Sequence, residues 1–130
     1  DSEQWKKVCF NAVINPICAI AGVRNGELLG HSSLSDLVVN ALNEAFLIVQ
    51  EICIKKFSFQ NMTQQLFQLI ESTSRNKCSM LQDVIMGRKT EIDAFTGILL
   101  SLAEPLGIQT PILSSLHTLV KSIDGSLFLN

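Results

Sequence analysis

Apolar residues recur at intervals of three and four along nearly the whole chain, and nowhere do they alternate one for one over the length of a strand. Spacing of this kind gives each helix a greasy stripe and leaves its other side to water. The expected fold class is therefore all-α, a multi-helix bundle of about six or seven helices. A length of 130 residues, 47% of them apolar, supplies one sizeable core and is short for two, so residues 1–130 are expected to form a single domain.

Charge excludes several function classes. Only 17% of residues are charged, ten basic against twelve acidic for a net charge of −2, and no strong field favours nucleic acid or a polyanionic substrate. The longest greasy stretch, Val8 to Val23, is broken by Asn11, Asn15 and Pro16, short of the roughly eighteen unbroken apolar residues that a membrane span needs. No nucleic acid and no membrane are expected as partners. The first residues lack the apolar run and cleavage site of a signal peptide. The four cysteines, Cys9, Cys18, Cys53 and Cys78, include no CxxC pair, so free thiols in a reducing, cytoplasmic setting are expected, with no disulfide frame and no metal.

The first helix is predicted from Ser2 to Ile20, with Trp5, Val8, Cys9, Ala12, Val13, Ile17 and Ile20 as its buried stripe and a kink at Pro16. After a turn at Asn25-Gly26, Ser32 or Ser33 can cap a long helix carrying Leu34, Leu37, Val38, Ala41, Leu42, Ala45, Val49 and Ile52. A third helix, Asn61 to Ser72, buries Met62, Leu66, Phe67 and Ile70. A fourth begins at Ser79, which forms a capping box with Gln82, and ends at Gly87. Thr90 and Asp93 are placed to cap a fifth, with Ile92, Phe95, Leu99, Leu102 and Leu106 as its stripe and Gly107 as its stop. The last starts at Pro111 and turns Ile112, Leu116, Leu119 and Ile123 inward.

Opposite the first helix's stripe stand Lys7, Asn11 and Asn15, spaced four apart and so close to one face. A solvated helix face is usually filled with Glu, Lys and Gln, whereas Asn is a poor helix former. Two Asn residues aligned with one Lys suit a ligand bearing hydroxyl, ketone and carboxylate groups, because an amide offers both donors and acceptors. A plain solvated stripe, or polar contacts to neighbouring helices, fits the same spacing. His31 and His117 have no acid or nucleophile close in sequence and read as surface or helix-end residues.

The wording of two segments goes further. Lys7-Val8-Cys9-Phe10-Asn11-Ala12-Val13-Ile14-Asn15-Pro16, followed by Asn25-Gly26-Glu27-Leu28, resembles the K-x-x-x-N-x-x-x-N-P…N-G-E-L signature of ketopantoate reductases. Ser79-Met80-Leu81-Gln82-Asp83, then Gly87-Arg88-Lys89-Thr90-Glu91-Ile92-Asp93 and Gly97, is similar to the same family's S-M-L-Q-D…G-R-x-T-E-I-D…G signature. The resemblance covers nearly the whole chain in order, while 35–74 matches in helical character alone. Thr96 departs from it, standing where members often carry Asn.

The resemblance implies the helical C-terminal domain of an enzyme that reduces a 2-keto acid, typically ketopantoate to pantoate in pantothenate synthesis, with hydride from NADPH. Lys7 matches the family's catalytic lysine, the general acid at the ketone oxygen. Asn11, Asn15, Asn25 and Ser79 match its substrate-holding residues, with Asn76 a further candidate just before the second motif. Glu91 matches its acidic residue, the second catalytic candidate, implied to help position the substrate, the lysine or the cofactor's ribose; with Lys7 it is also expected to face the cofactor. Each has an ordinary reading beside this one: Ser79 as a cap, Asn25 as a turn residue, Glu91 as an acid at a helix start. Gly97 suggests close approach of another backbone.

Family members bind NADPH through an N-terminal Rossmann domain, whose G-x-G-x-x-G turn this chain lacks: Gly22, Gly26 and Gly30 are four apart and follow a helix. The chain is thus expected to be one half of a longer enzyme, inactive alone, with a small keto acid and its own Rossmann domain as partners and a homodimer left open. Two alternatives stand: a reductase of a different 2-keto acid, and a noncatalytic helical interaction or dimerisation module.

Overall fold

The computed structural model describes residues 1–54 and 56–128. Seven α-helices occur in it: α1 (Ser2–Ala21), α2 (Glu27–Gly30), α3 (Ser32–Ile52), α4 (Phe59–Ser72), α5 (Ser79–Ile85), α6 (Ile98–Leu106) and α7 (Pro111–Ile123). A π-helical turn, Asp93–Gly97, leads straight into α6, and a 3-10 turn, Ser126–Phe128, follows α7. No strand is present among the described residues. The all-α bundle read from apolar spacing is what forms.

Helix α1 begins at Asp1, whose Oδ1 accepts the Gln4 N–H at 3.0 Å, and stops at Gly22 in the left-handed region. Between Cys9 and Ala19 every residue except Asn11 is buried. The helix is therefore the axis of the bundle and packs against α3, α5, α7 and the π turn. The buried surface is wider than the one stripe that spacing suggested: neighbours on several sides enclose even Asn15, which is 8% exposed.

Pro16 sits inside this axis. Lacking an N–H, it leaves the Ala12 carbonyl without its helical donor. The fully buried Thr96 on the π turn donates its hydroxyl to that carbonyl at 3.3 Å, and α1 runs on through Pro16 to Ala21.

Helix α3 lies against α1 and buries Val38, Ala41, Leu42, Ala45, Ile48 and Val49. It is the one helix among the described residues long and apolar enough to cross a bilayer. Here that apolar side forms the core. Its buried Glu44 accepts the Ile112 and Leu113 N–H groups at 3.0 and 2.9 Å, capping α7 from another helix where Thr110 supplies no side-chain cap.

Several local expectations change. Neither Ser32 nor Ser33 caps α3, which has no side-chain cap. Helix α4 begins earlier than Asn61, at Phe59, with Ser58 as cap. Helix α5 is capped by the Cys78 sulfur, which accepts the Leu81 N–H at 3.4 Å; Ser79 is its first residue, and Gln82 turns instead to the Lys77 carbonyl. Thr90 accepts the Ile92 N–H as expected of a cap, but Asp93 pairs with α7. On α7 the inner row is Leu113, Leu116 and Val120, while Leu119 and Ile123 face out. Both rows are apolar with helical spacing, so periodicity alone does not choose between them. On α6, Leu99 and Ala103 are buried and Leu106 is exposed.

Candidate functional site

The polar row on α1 is graded by depth. Lys7 is exposed, Asn11 half-buried and Asn15 buried. The neighbouring lysine shows what is particular about Lys7: Lys6 is tied to Glu3 at 2.8 Å and to Gln65 at 3.2 Å, whereas Lys7 has no ion pair or side-chain hydrogen bond among the described residues. Asn15 has no side-chain partner either. Because no buried side-chain nitrogen or oxygen is left unpartnered, the polar atoms of Asn15 reach the surface, and the little exposure that it keeps includes its amide.

Past Asn15 the row meets the other candidates. The Cys78 sulfur lies 3.8 Å from the Asn15 carbonyl, which sets Ser79, the exposed first residue of α5, beside the third turn of the row. One turn on, the Cys18 thiol faces Asn25 Oδ1 at 3.7 Å. Asn25 is 7% exposed, donates its side-chain amide to Thr73 at 3.0 Å, and its backbone N–H bonds the Asn76 carbonyl at 3.0 Å. Its oxygen and one amide hydrogen thus hold the turn together, leaving one N–H for a ligand. Gly26 closes this junction: a Cβ there would meet the Ser74 Cβ at 2.8 Å, so the turn fits against the end of α4 only with glycine.

Glu91 comes from a different direction. Ile92 packs in a small buried cluster with Ala19, Met80 and Val120, while Thr96 reaches Ala12. The segment from Ile92 onward therefore runs antiparallel to α1, and Glu91 stands level with the end of α1, about three helical turns from Lys7. Its carboxylate is exposed and has no partner among the described residues. The structure brings Asn15, Asn25, Asn76 and Ser79 together at the last turns of α1; on this strip Lys7 lies about two turns before Asn15, and Glu91, next to Ile92, is level with the far end of α1 and not with Lys7.

Two groups escaped sequence reasoning. His117 is not an end residue: it lies half-buried within α7, its Nε2 2.7 Å from Asp93 Oδ1, with Lys121 Nζ 3.6 Å from Oδ2. The acid is 24 positions away in sequence, so local inspection could not find it. His117 first, then Lys121, holds the Asp93 carboxyl below its ordinary range against the effect of burial. Gly97 makes room for this pair, since a Cβ would stand 3.1 Å from Asp93 Oδ1; side chains, not a backbone, approach it. Asp124 is the other group. Burial acts to raise its carboxyl, but hydrogen bonds from Ser126 and Thr90 outweigh that and hold it low. The Thr90 N–H and hydroxyl donate to Asp124 Oδ2 at 3.0 and 2.8 Å, anchoring the residue before Glu91.

No group of three or more metal-ligating side chains occurs among the described residues. The strip is an open wall of donors, acceptors and one unpaired cation, able to align a small polar ligand and to stabilise negative charge beside Lys7.

Comparison with known proteins gives a consistent set of likenesses. A family model described as Ketopantoate reductase PanE/ApbA C terminal matches residues 1–124. The 2-dehydropantoate 2-reductase of Salmonella typhimurium is 39% identical over 120 residues, 92% of this chain and 38% of that protein. That of Pyrococcus horikoshii is 35% identical over 119 residues, 92% of this chain and 39% of that protein. Among solved structures, a probable 2-dehydropantoate 2-reductase from Bacillus subtilis superimposes with a TM-score of 0.85 at 33% identity, covering 91% of this chain and 39% of that one. The ternary structure of D-mandelate dehydrogenase with NADH and anilino(oxo)acetate gives 0.86 at 26% identity, covering 96% and 41%. The chain spans about two fifths of the length of these relatives.

Proposed function

Since this chain belongs to the ketopantoate reductase C-terminal family, we propose that it is the substrate-holding half of an NADPH-dependent 2-dehydropantoate 2-reductase, with Lys7 as general acid. The observation that carries the reading is the graded row on α1: a lysine without a partner, followed by an amide that reaches the surface next to the start of α5.

A nicotinamide cofactor, when bound, supplies the hydride. The residues of this chain assigned to face it, Lys7 and Glu91, are both exposed and unpaired among the described residues, so each can take up a ligand without breaking an internal bond. As the ketone carbon is reduced, negative charge grows on its oxygen. The Lys7 ammonium stabilises that charge and transfers a proton to it, a role a guanidinium would fill poorly because it holds its proton too tightly. Asn11, Asn15 and the remaining Asn25 N–H, with Ser79 and Asn76 on the facing segment, fix the orientation of the carboxylate and hydroxyl groups. The other wall of the cleft and the nucleotide fold come from a Rossmann domain, in keeping with the two-fifths share of its relatives that this chain covers. The free thiols fit a cytoplasmic enzyme.

A second reading keeps the chemistry and changes the acid. It is favoured by the likeness to D-mandelate dehydrogenase and by Thr96, whose hydroxyl is engaged with Ala12 rather than facing a ligand. Steady-state assays of the full-length protein with NADPH and a panel of branched and aromatic 2-keto acids separate the two. Lys7→Ala is expected to lower kcat by a factor on the order of 100 or more with the preferred acid. Undiminished turnover by that variant would remove Lys7 from the mechanism, and a preference for aryl acids would select the second reading.

A further inference from the structure

The end of α1 and the cap of α5 place two thiols in one small enclosure. Cys18 is fully buried, its thiol 3.7 Å from Asn25 Oδ1. Cys78 is half-buried, its sulfur 3.8 Å from the Asn15 carbonyl, one turn before Cys18, and accepts the Leu81 N–H. Asn25 also bonds the backbone two residues before Cys78, and the Asn15 carbonyl that faces the Cys78 sulfur belongs to the same turn of α1 that carries Cys18. Both cysteines are free thiols in the structure. From this geometry we infer that Cys78 is an oxidation site for hydroperoxides and that Cys18 is its resolving thiol, closing a reversible Cys18–Cys78 disulfide.

The chemistry divides cleanly between them. The neighbouring Cys18 thiol first, then backbone N–H groups at the start of α5, lower the Cys78 thiol below its ordinary value against the effect of burial and so favour its thiolate. The neighbouring Cys78 sulfur and burial push the Cys18 thiol up, so it keeps its proton, directed at Asn25 Oδ1. The Cys78 thiolate attacks a peroxide oxygen; an S–O bond forms, the O–O bond breaks, and the alkoxide or hydroxide leaves and takes a proton. Sulfur is oxidised by two electrons and the peroxide reduced. Cys18 then attacks the sulfenyl sulfur, forming S–S and breaking S–O, and its proton leaves with the hydroxyl as water. Cys9 offers no such route: it is sealed in the core, and burial pushes its thiol up to about 12.

The test reads thiols and masses, independently of reductase turnover. The full-length protein is reduced, freed of reductant, exposed to hydrogen peroxide, quenched with catalase, alkylated and digested with trypsin. The expected product joins peptides 8–24 and 78–88, lighter by two hydrogens than their sum, and separates again with dithiothreitol. Cys9→Ser keeps the cross-link. Cys18→Ser instead accumulates a sulfenic acid on Cys78 that dimedone traps, and Cys78→Ser yields neither product. Absence of the cross-link in the wild-type protein, with Cys18 and Cys78 alkylating as before treatment, overturns the inference. So does a cross-link that survives in Cys18→Ser, because it would run through Cys9. The wild-type digest decides without reliance on any variant's folding.

Discussion

Thr96 supplies the hydrogen bond that proline denies to α1. Its hydroxyl and the Ala12 carbonyl are enclosed, so replacing Thr96 by Val leaves an acceptor with neither protein nor water. The expected cost is about 1–3 kcal/mol of unfolding free energy, read by urea titration. The proline is the cause, and that makes the effect separable from lost packing. In a Pro16→Ala background the helix regains its own N–H, and the Thr96→Val cost should fall. An equal cost in both backgrounds would show that the hydroxyl is not standing in for the missing donor.

Among elements, the junction of α3 and α7 is held by one side chain. Glu44 engages two consecutive N–H groups at the start of α7, the position where a negative charge is also favoured by the helix dipole. Glu44→Ala is expected to destabilise the protein by about 2 kcal/mol and to speed hydrogen exchange at Ile112 and Leu113 before other α7 amides. Unchanged protection at those two amides would contradict the cap. This element also shows the limits of sequence reading. Helical spacing identified α3 and α7 and most of the α3 core residues, because those signals lie within one helix. It could not choose between the 113/116/120 and 112/116/119/123 rows of α7, since the choice depends on which side α3 and α1 approach. Caps failed for a similar reason: Cys78 outcompetes Ser79, and Glu44 acts from a distant helix.

For the molecule as a whole, acid stability should carry the mark of Asp124. This residue fastens the end of α7 and the following turn to Thr90, and its folded carboxyl titrates below the ordinary value of 3.8. A lowered folded value means a contribution fully present above 3.8 and lost as pH falls through the lower value. Wild type should therefore exceed Asp124→Asn in stability near neutral pH, and the gap should shrink on acidification. A gap that widens in acid would reverse the assignment. The candidate site was legible to the same degree as the fold. Position along α1 gave Lys7, Asn11 and Asn15, but the convergence of Asn25, Asn76 and Cys78 on the end of that row depends on chain segments separated by dozens of residues, and the His117–Asp93 pair was invisible for the same reason.

One consequence follows from the helix that is enclosed on nearly all sides. Residues 2–21 leave the ribosome before any of the elements that surround them, and the hydroxyl that completes their backbone arrives 84 positions after the carbonyl it serves. The segment is thus made before the elements that seal it. Until synthesis passes α7, a run of buried-to-be apolar residues stays available to chaperones or to misassembly, and a transcript cut short before Pro111 yields a chain whose central helix lacks one of the neighbours that close around it.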